Sequence, residues 1–351
     1  MRKSLASLAA GAALLFVALQ PAAAGLPRDG LAAITVSADG KTVYAAGDNR
    51  VLYVLDAGTL EVRKRAYLGL NPYELILSGD GKMLVLHDSS GLLTMLDAES
   101  LEMKGRIEGA EAIATAPEAG IIFAVGKAKG RGPGAVTPLA AYRIATGEQV
   151  MQSSVKGKVV ALAALPDGSR LHAMTDDYKS DAEEKKKPPK GMSGVERRTF
   201  VQKNDGKVSD VITLDANGTE SGRFTTFMEL GWETDFVATP DELRIVSNNG
   251  VAARLSPDGT KAELFEAGGT YGFSFSPDGT RLAAGSLRKG ELASMDSAAT
   301  VPFKASRIGG WPEYFEGFAF GPDGHVYGGT SAYRLFKMDG QGRVVAEAPV
   351  F

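Results

Sequence analysis

Cysteine is absent from the chain. That absence excludes disulfide staples, attachment of haem through a CxxCH motif, cysteine-ligated iron–sulfur clusters, a cysteine nucleophile and a lipid-modified N-terminal cysteine. Histidine is scarce, with only His87, His172 and His325. Few metal sites or acid–base dyads can be built from three imidazoles, and no HExxH, EF-hand or phosphate-loop spacing occurs. Charge of one sign is lacking too. The formal net charge of −3 argues against nucleic acid as a partner. Beyond the first two dozen residues no uninterrupted apolar run approaches the ~20 residues that a membrane-spanning helix needs.

The beginning of the chain differs from the rest. Arg2 and Lys3 precede an apolar run from Leu8 to Leu19, and Ala22-Ala23-Ala24 supplies small residues before Gly25. This order predicts a secretory signal peptide over residues 1–24. The mature chain, 25–351, is then expected to be a soluble periplasmic or secreted protein, stabilised by packing and strand pairing alone.

What the chain has is a repeat. A turn signature recurs as Ser37-Ala38-Asp39-Gly40, Ser78-Gly79-Asp80-Gly81, Leu165-Pro166-Asp167-Gly168, Ser276-Pro277-Asp278-Gly279 and Gly321-Pro322-Asp323-Gly324. Degenerate copies stand at Pro117-Glu118-Ala119-Gly120 and Thr239-Pro240-Asp241-Glu242. The acidic positions are spaced by 41, 38, 49, 74, 37 and 45 residues. Asp-Gly between short apolar runs is a strong hairpin signal, because glycine accepts positive φ without steric cost. A second hairpin follows each, as in Val51–Asp56 with Val62–Tyr67 and Leu92–Asp97 with Met103–Ile107. Each unit therefore carries four antiparallel strands, a to d. Units of this size predict an all-β, seven-bladed β-propeller, with blades starting near Gly30, Leu70, Ala110, Lys158, Leu230, Gly269 and Gly310. A six- or eight-bladed ring and a parallel β-helix are the competing architectures.

The Ser/Ala-Pro/Ala-Asp-Gly-Lys/Thr turn followed by an apolar strand, with a Leu-Asp-Ala turn later in the unit, resembles YVTN-type and WD40-like bacterial propeller repeats. Leu75–Leu86 and Tyr271–Ala284 carry the resemblance best. It covers the whole mature chain and weakens in blades 3, 4 and 5. It implies the fold and no particular activity, since propellers host enzymes, binders and scaffolds alike.

In propellers the d–a and b–c loops open on one face, so the Asp-Gly turns belong to the other and are expected to cap themselves. Candidate d–a loop residues are Tyr73, Glu74, Glu111, Trp232, Glu233, Asp235, Tyr271, Trp311, Glu313, Tyr314 and Glu316. Aromatic rings and carboxylates meeting at one mouth would suit a cation, an amine, a basic peptide or a sugar. A divalent ion held by Glu74, Glu111, Glu233 and Asp235 is conceivable, as hard cations take oxygen ligands. The b–c loops add Asp48-Asn49-Arg50, His87-Asp88, Asn248-Asn249 and Arg288-Lys289. His87 with Asp88 is the one pair near the mouth with a candidate catalytic base. His172 reads as a packed strand residue, and His325 follows a structural turn.

The largest departure from the repeat is the b–c connection of blade 4, about 176–208. It includes Lys185, Lys186, Lys187 and Lys190 among glutamates and prolines, a composition that predicts an arm for a partner. Arg197–Val201 with Val208–Val211 could extend it as a hairpin. The functional expectation is a binding or scaffold module that engages a periplasmic or envelope protein. The alternatives are a lactonase- or lyase-like enzyme, or an accessory subunit of a periplasmic dehydrogenase. No cofactor is expected.

Overall fold

The computed structural model describes residues 30–350, apart from 177, 180–186, 193–195, 198–199, 201–206, 227–233, 249, 268–270, 298 and 308–311. The predicted signal peptide lies outside the described residues. The chain forms seven separate antiparallel sheets, each from one contiguous segment, with the strands in chain order in every sheet but that of blade 4. Blade 1 is Leu31–Val36, Thr42–Gly47, Val51–Asp56 and Val62–Tyr67, and blade 2 is Pro72–Leu77, Met83–Asp88, Leu93–Asp97 and Met103–Ile107. Blade 3 is Ala112–Ala116, Ile121–Val125, Val136–Arg143 and Gln149–Lys156. Blade 4 is Val159–Ala164, Arg170–Thr175, Lys207–Asp215 and Glu220–Thr226. Blade 5 is Thr234–Ala238, Leu243–Ser247, Val251–Leu255 and Ala262–Glu266. Blade 6 is Phe273–Phe275, Arg281–Gly285, Lys289–Ser294 and Thr300–Lys304, and blade 7 is Phe315–Phe320, Val326–Thr330, Arg334–Met338 and Val344–Pro349. The architecture is the expected seven-bladed β-propeller.

First strands of neighbouring blades touch one another at six of the seven interfaces, blade 7 on blade 1 included. Second strands are the most buried, because they lie between their own sheet partners and a blade on each side; all six residues of Met83–Asp88 are buried. Fourth strands are the outer rim and carry charge, as in Val62–Tyr67 with Arg63, Lys64 and Arg65, which discourages edge-to-edge pairing.

Seven apolar clusters correspond to the seven interfaces. Leu75, Leu84 and Leu86 of blade 2 pack on Tyr44, Ala46 and Leu52 of blade 1. Alternation along the strand sends Val85 to blade 3, where it meets Ile122 and Ala124. Between blades 6 and 7 the fill is aromatic, with Phe303 edge-on to Phe315 at 5.1 Å and Phe315 stacked on Phe318 at 5.5 Å.

The ring closes without a shared strand. Leu31, Tyr53 and Leu55 pack against Tyr327 and Leu335. The phenol of Tyr327 donates to the carbonyl of Ala57 at 3.2 Å, and Lys337 donates to the same oxygen at 3.0 Å. Tyr333 donates its hydroxyl to Asp48 and accepts the amide of Asn49 at 2.6 Å. Backbones approach closely here: a Cβ on Gly317 would lie 1.8 Å from the carbonyl oxygen of Ala32. Gly317→Ala is therefore expected to lose about 1–3 kcal/mol through overpacking, measurable as a lower denaturation midpoint with an unchanged m-value.

The Asp-Gly turns cap themselves as expected. Asp39 accepts the Ser37 hydroxyl at 2.6 Å and the Lys41 amide at 3.0 Å, and Asp80 repeats the pattern with Ser78 and Lys82. The serine hydroxyl and then the amide hold both carboxyls below the ordinary range. In blade 5, where glycine is missing, Thr239 accepts the Glu242 amide instead, at 3.0 Å.

Blade 4 has a fifth strand. Tyr178–Lys179 pairs with Lys207–Val208 at the root of the arm. This corrects the expected hairpin partner, since Glu196, Arg197 and Phe200 have helical backbone. The short partner follows directly on Arg170–Thr175, which is already paired with Lys207–Asp215, so it prolongs an existing ladder. Lys158 and Asp176 brace the same root at 2.6 Å. Lys187 and Lys190 are exposed, and Lys185 and Lys186 lie outside the described residues. No helix among the described residues is long and apolar enough to cross a membrane.

Candidate functional site

The d–a and b–c loops do share a face. The amide of Gly30 donates to Asp48, that of Ala110 to the carbonyl of Gly91, and that of Arg288 to the carbonyl of Glu313. Trp232, Glu233 and Trp311 fall outside the described residues. The other candidates separate into three groups.

The first group is internal. Asp88 accepts the amides of Ser90 and Leu92 at 2.9 and 3.1 Å and the Ser90 hydroxyl at 2.6 Å, so it caps its own turn. Asp235 accepts the amide of Phe275 at 3.0 Å and ties blade 5 to blade 6. Glu313, 4% exposed, receives two hydrogen bonds from Arg334, at 2.8 and 2.6 Å, and one from Thr330 at 2.6 Å. Burial alone would raise the Glu313 carboxyl, but these donors outweigh it and hold it below the usual value. Arg334 also donates to the carbonyl and hydroxyl of Ser306. Glu316 is buried on the first strand of blade 7. Sequence pattern alone shows neither a carboxylate's depth nor its partner across a blade.

The second group gathers on blade 2. His87, 1% exposed, has its Nε2 2.8 Å from the carbonyl oxygen of Ala110, which can only accept. Nε2 therefore carries a proton and donates it to that carbonyl. The Tyr73 hydroxyl lies 2.8 Å from Nδ1, and Glu74 Oε2 lies 3.5 Å from it. Asp88 is not part of this cluster. Beside it, a groove of about 200 Å³ opens between blades 2 and 3, lined by Ile107, Glu108, Ala110, Leu139, Tyr142 and Gln152 among others. Glu111 is half-buried at the start of blade 3, its amide paired with Val125.

The third group is exposed and apolar. Tyr271 and the half-buried Tyr314 pack ring against ring between blades 6 and 7, centroids 4.5 Å apart and planes tilted by 38°. Leu287, in the b–c turn of blade 6, bridges to Tyr314. Tyr271 is 47% exposed and Leu287 is 40% exposed. Arg288 and Lys289 follow in the same turn. Leu287 carried no signal in the sequence pattern. Arg288 carried one: it stands just before strand c, where blades 2 and 5 place glycine.

No three His, Asp or Glu side chains among the described residues are arranged to hold a metal ion. His172 is fully buried, with Thr213 at 3.1 Å from Nδ1. Its Nε2 is without a hydrogen-bond partner. Burial, and secondarily Arg170, pushes this imidazole down to about 4. It is a core residue, as its strand position suggested.

No protein-family model matches the chain, and no curated protein matches it. Among solved structures, hydrazine synthase of Kuenenia stuttgartiensis superposes with a TM-score of 0.59 at 15% identity, over 95% of this chain and 99% of that one. At that identity the likeness is one of fold.

Proposed function

We propose that the chain is an exported binding module of the YVTN/WD40-like kind, engaging a periplasmic or envelope protein through its d–a/b–c face and the arm of blade 4. One observation carries this reading: Tyr271, resting on the half-buried Tyr314, and Leu287 leave apolar area in water on that face. A ring that buries leucine at all seven interfaces gains nothing from these exposed side chains by itself. Aromatic residues exposed on a rigid scaffold are the usual anchors of protein interfaces.

The test is affinity capture from the native envelope with three proteins: intact, lacking residues 179–194, and Tyr271→Ala/Tyr314→Ala. Capture by the intact protein, with at least tenfold loss in the double variant, supports the reading. Loss on removal of the arm assigns the arm a share. Equal capture by all three overturns it.

The cluster on blade 2 favours a second reading, a small-molecule site on the same face. Under it, Tyr73→Phe would abolish a ligand response while leaving protein capture intact.

A further inference from the structure

The turn between strands b and c places one residue in the left-handed region immediately before or near strand c in five blades. Blades 2 and 5 use Gly91 (φ 78°) and Gly250 (φ 79°). Blades 1, 6 and 7 use Arg50 (φ 62°), Arg288 (φ 53°) and Tyr333 (φ 56°). The position does the same work in each blade: its carbonyl accepts the amide that follows strand d. The donors are Leu68 for Arg50, Ala110 for Gly91, Ala267 for Gly250, Ala305 for Arg288 and Val350 for Tyr333, at 2.7–3.0 Å. The backbone job fixes the conformation and is indifferent to the side chain, so glycine is the unstrained choice. A side chain there costs on the order of 1 kcal/mol or more.

Three consecutive blades around the ring, 6, 7 and 1, accept that cost. Tyr333 has an internal reason, its bonds to Asp48 and Asn49 across the seam. The two arginines do not. Neither guanidinium makes a hydrogen bond or ion pair within the chain among the described residues. Glu313 feels the charge of Arg288, but its carboxylate is committed to hydrogen bonds from Arg334 and Thr330. Lys289 adds to the charge, and its cross-strand partner is Lys304, a like-charge pair on exposed positions. Directly opposed like charges are unfavourable unless something external neutralises them.

We infer that the partner presents an acidic segment with an apolar side chain, bound across blades 6, 7 and 1. Arg288, Lys289 and Arg50 would meet its carboxylates, and the Tyr271–Tyr314 pair its apolar group. This deepens the proposed function and rests on it. It also reverses the sign of the ligand expected from the acidic residues of the loops, because Asp88, Asp235 and Glu313 are already paired inside the ring.

The test exploits the strain. Arg50→Gly/Arg288→Gly keeps the backbone job and relieves the left-handed side chains, so its melting temperature should match or exceed that of the parent. The probe is a fluorescein-labelled nonapeptide of eight glutamates around a central phenylalanine, long enough at about 30 Å extended to cross two blades. Its glutamine counterpart and phosphatidylglycerol vesicles are the controls. The expected result is salt-sensitive binding of the acidic peptide, at least tenfold weaker in the Arg→Gly variant and absent for the glutamine peptide. No binding, equal binding of both peptides, full affinity in the variant, or binding to the vesicles alone would each overturn the inference. The envelope capture separates this failure from a wider one. A partner held equally by the parent and the Arg→Gly variant removes the acidic rule and leaves the binding module standing. No capture by either removes both.

Discussion

Replacing Arg334 with alanine should cost about 3–5 kcal/mol, the range for stranding one charge of a buried pair. The guanidinium is 4% exposed and lies 4.6 Å over the ring of Phe336. It satisfies both carboxylate oxygens of Glu313 and reaches Ser306 at the end of blade 6. Without it the buried Glu313 keeps only the hydroxyl of Thr330 as a hydrogen-bond donor among the described residues. The loss should appear as a fall in the urea midpoint. Arg334→Met/Glu313→Leu should recover most of it, since a buried pair replaced by apolar groups of similar volume is close to neutral. If Arg334→Ala alone costs under 1 kcal/mol, the pair is not a structural tie.

Acid lability between pH 6.5 and pH 4 should trace to His172. Its folded value is near 4, against an unfolded value of 6.5. Above pH 6.5 both states are neutral at this residue and its environment costs nothing. Below 6.5 the unfolded chain takes up a proton that the folded chain refuses, so stability falls as pH falls, until the folded imidazole titrates near 4. The separation corresponds to about 3 kcal/mol. Urea titrations at pH 7 and pH 4.5 should show the loss. His172→Leu should flatten the profile across that window, at the price of an unpaired Thr213 hydroxyl. A profile of unchanged slope in His172→Leu would place the lability elsewhere. The turn aspartates, held below their ordinary value, add a loss of their own at the acid end of this window, and the comparison with His172→Leu separates it from the histidine.

Most of the ring was legible from one dipeptide. Asp-Gly fixes a hairpin locally, and five clear copies suffice to phase the other two; first strands begin within five residues of the expected blade starts. Blade 4 was the least legible. Its arm interrupts the period, and Tyr178–Lys179 pairs with Lys207–Val208 by prolonging a ladder between strands far apart in the chain, which local pattern does not reveal. The candidate site was legible by face and not by role. Tyr271, Tyr314, Tyr73 and His87 occupy the loop face that the strand count assigns them. Asp235 and Glu313 occupy it too, but Phe275 and Arg334, forty and twenty-one residues away, decide that they are internal ties. The meaning of Arg50 and Arg288 emerges only when φ is known, because arginine in a turn is unremarkable until it stands in a glycine's conformation.

The absence of a shared strand at the seam sets a geometric condition on the whole molecule. Seven wedges must fill a full turn, about 51° each. Six of the angles are set by blades joined through a connecting loop, and the seventh gap is whatever remains. Tyr327, Lys337 and Tyr333 must reach Ala57, Asp48 and Asn49 across it with bonds that tolerate a few tenths of an ångström. An error of a degree or two at each interface is small locally, yet six of them add at the place where no peptide bond can absorb the sum. Fit between blades 1 and 7 is therefore the cumulative readout of every other interface in the ring.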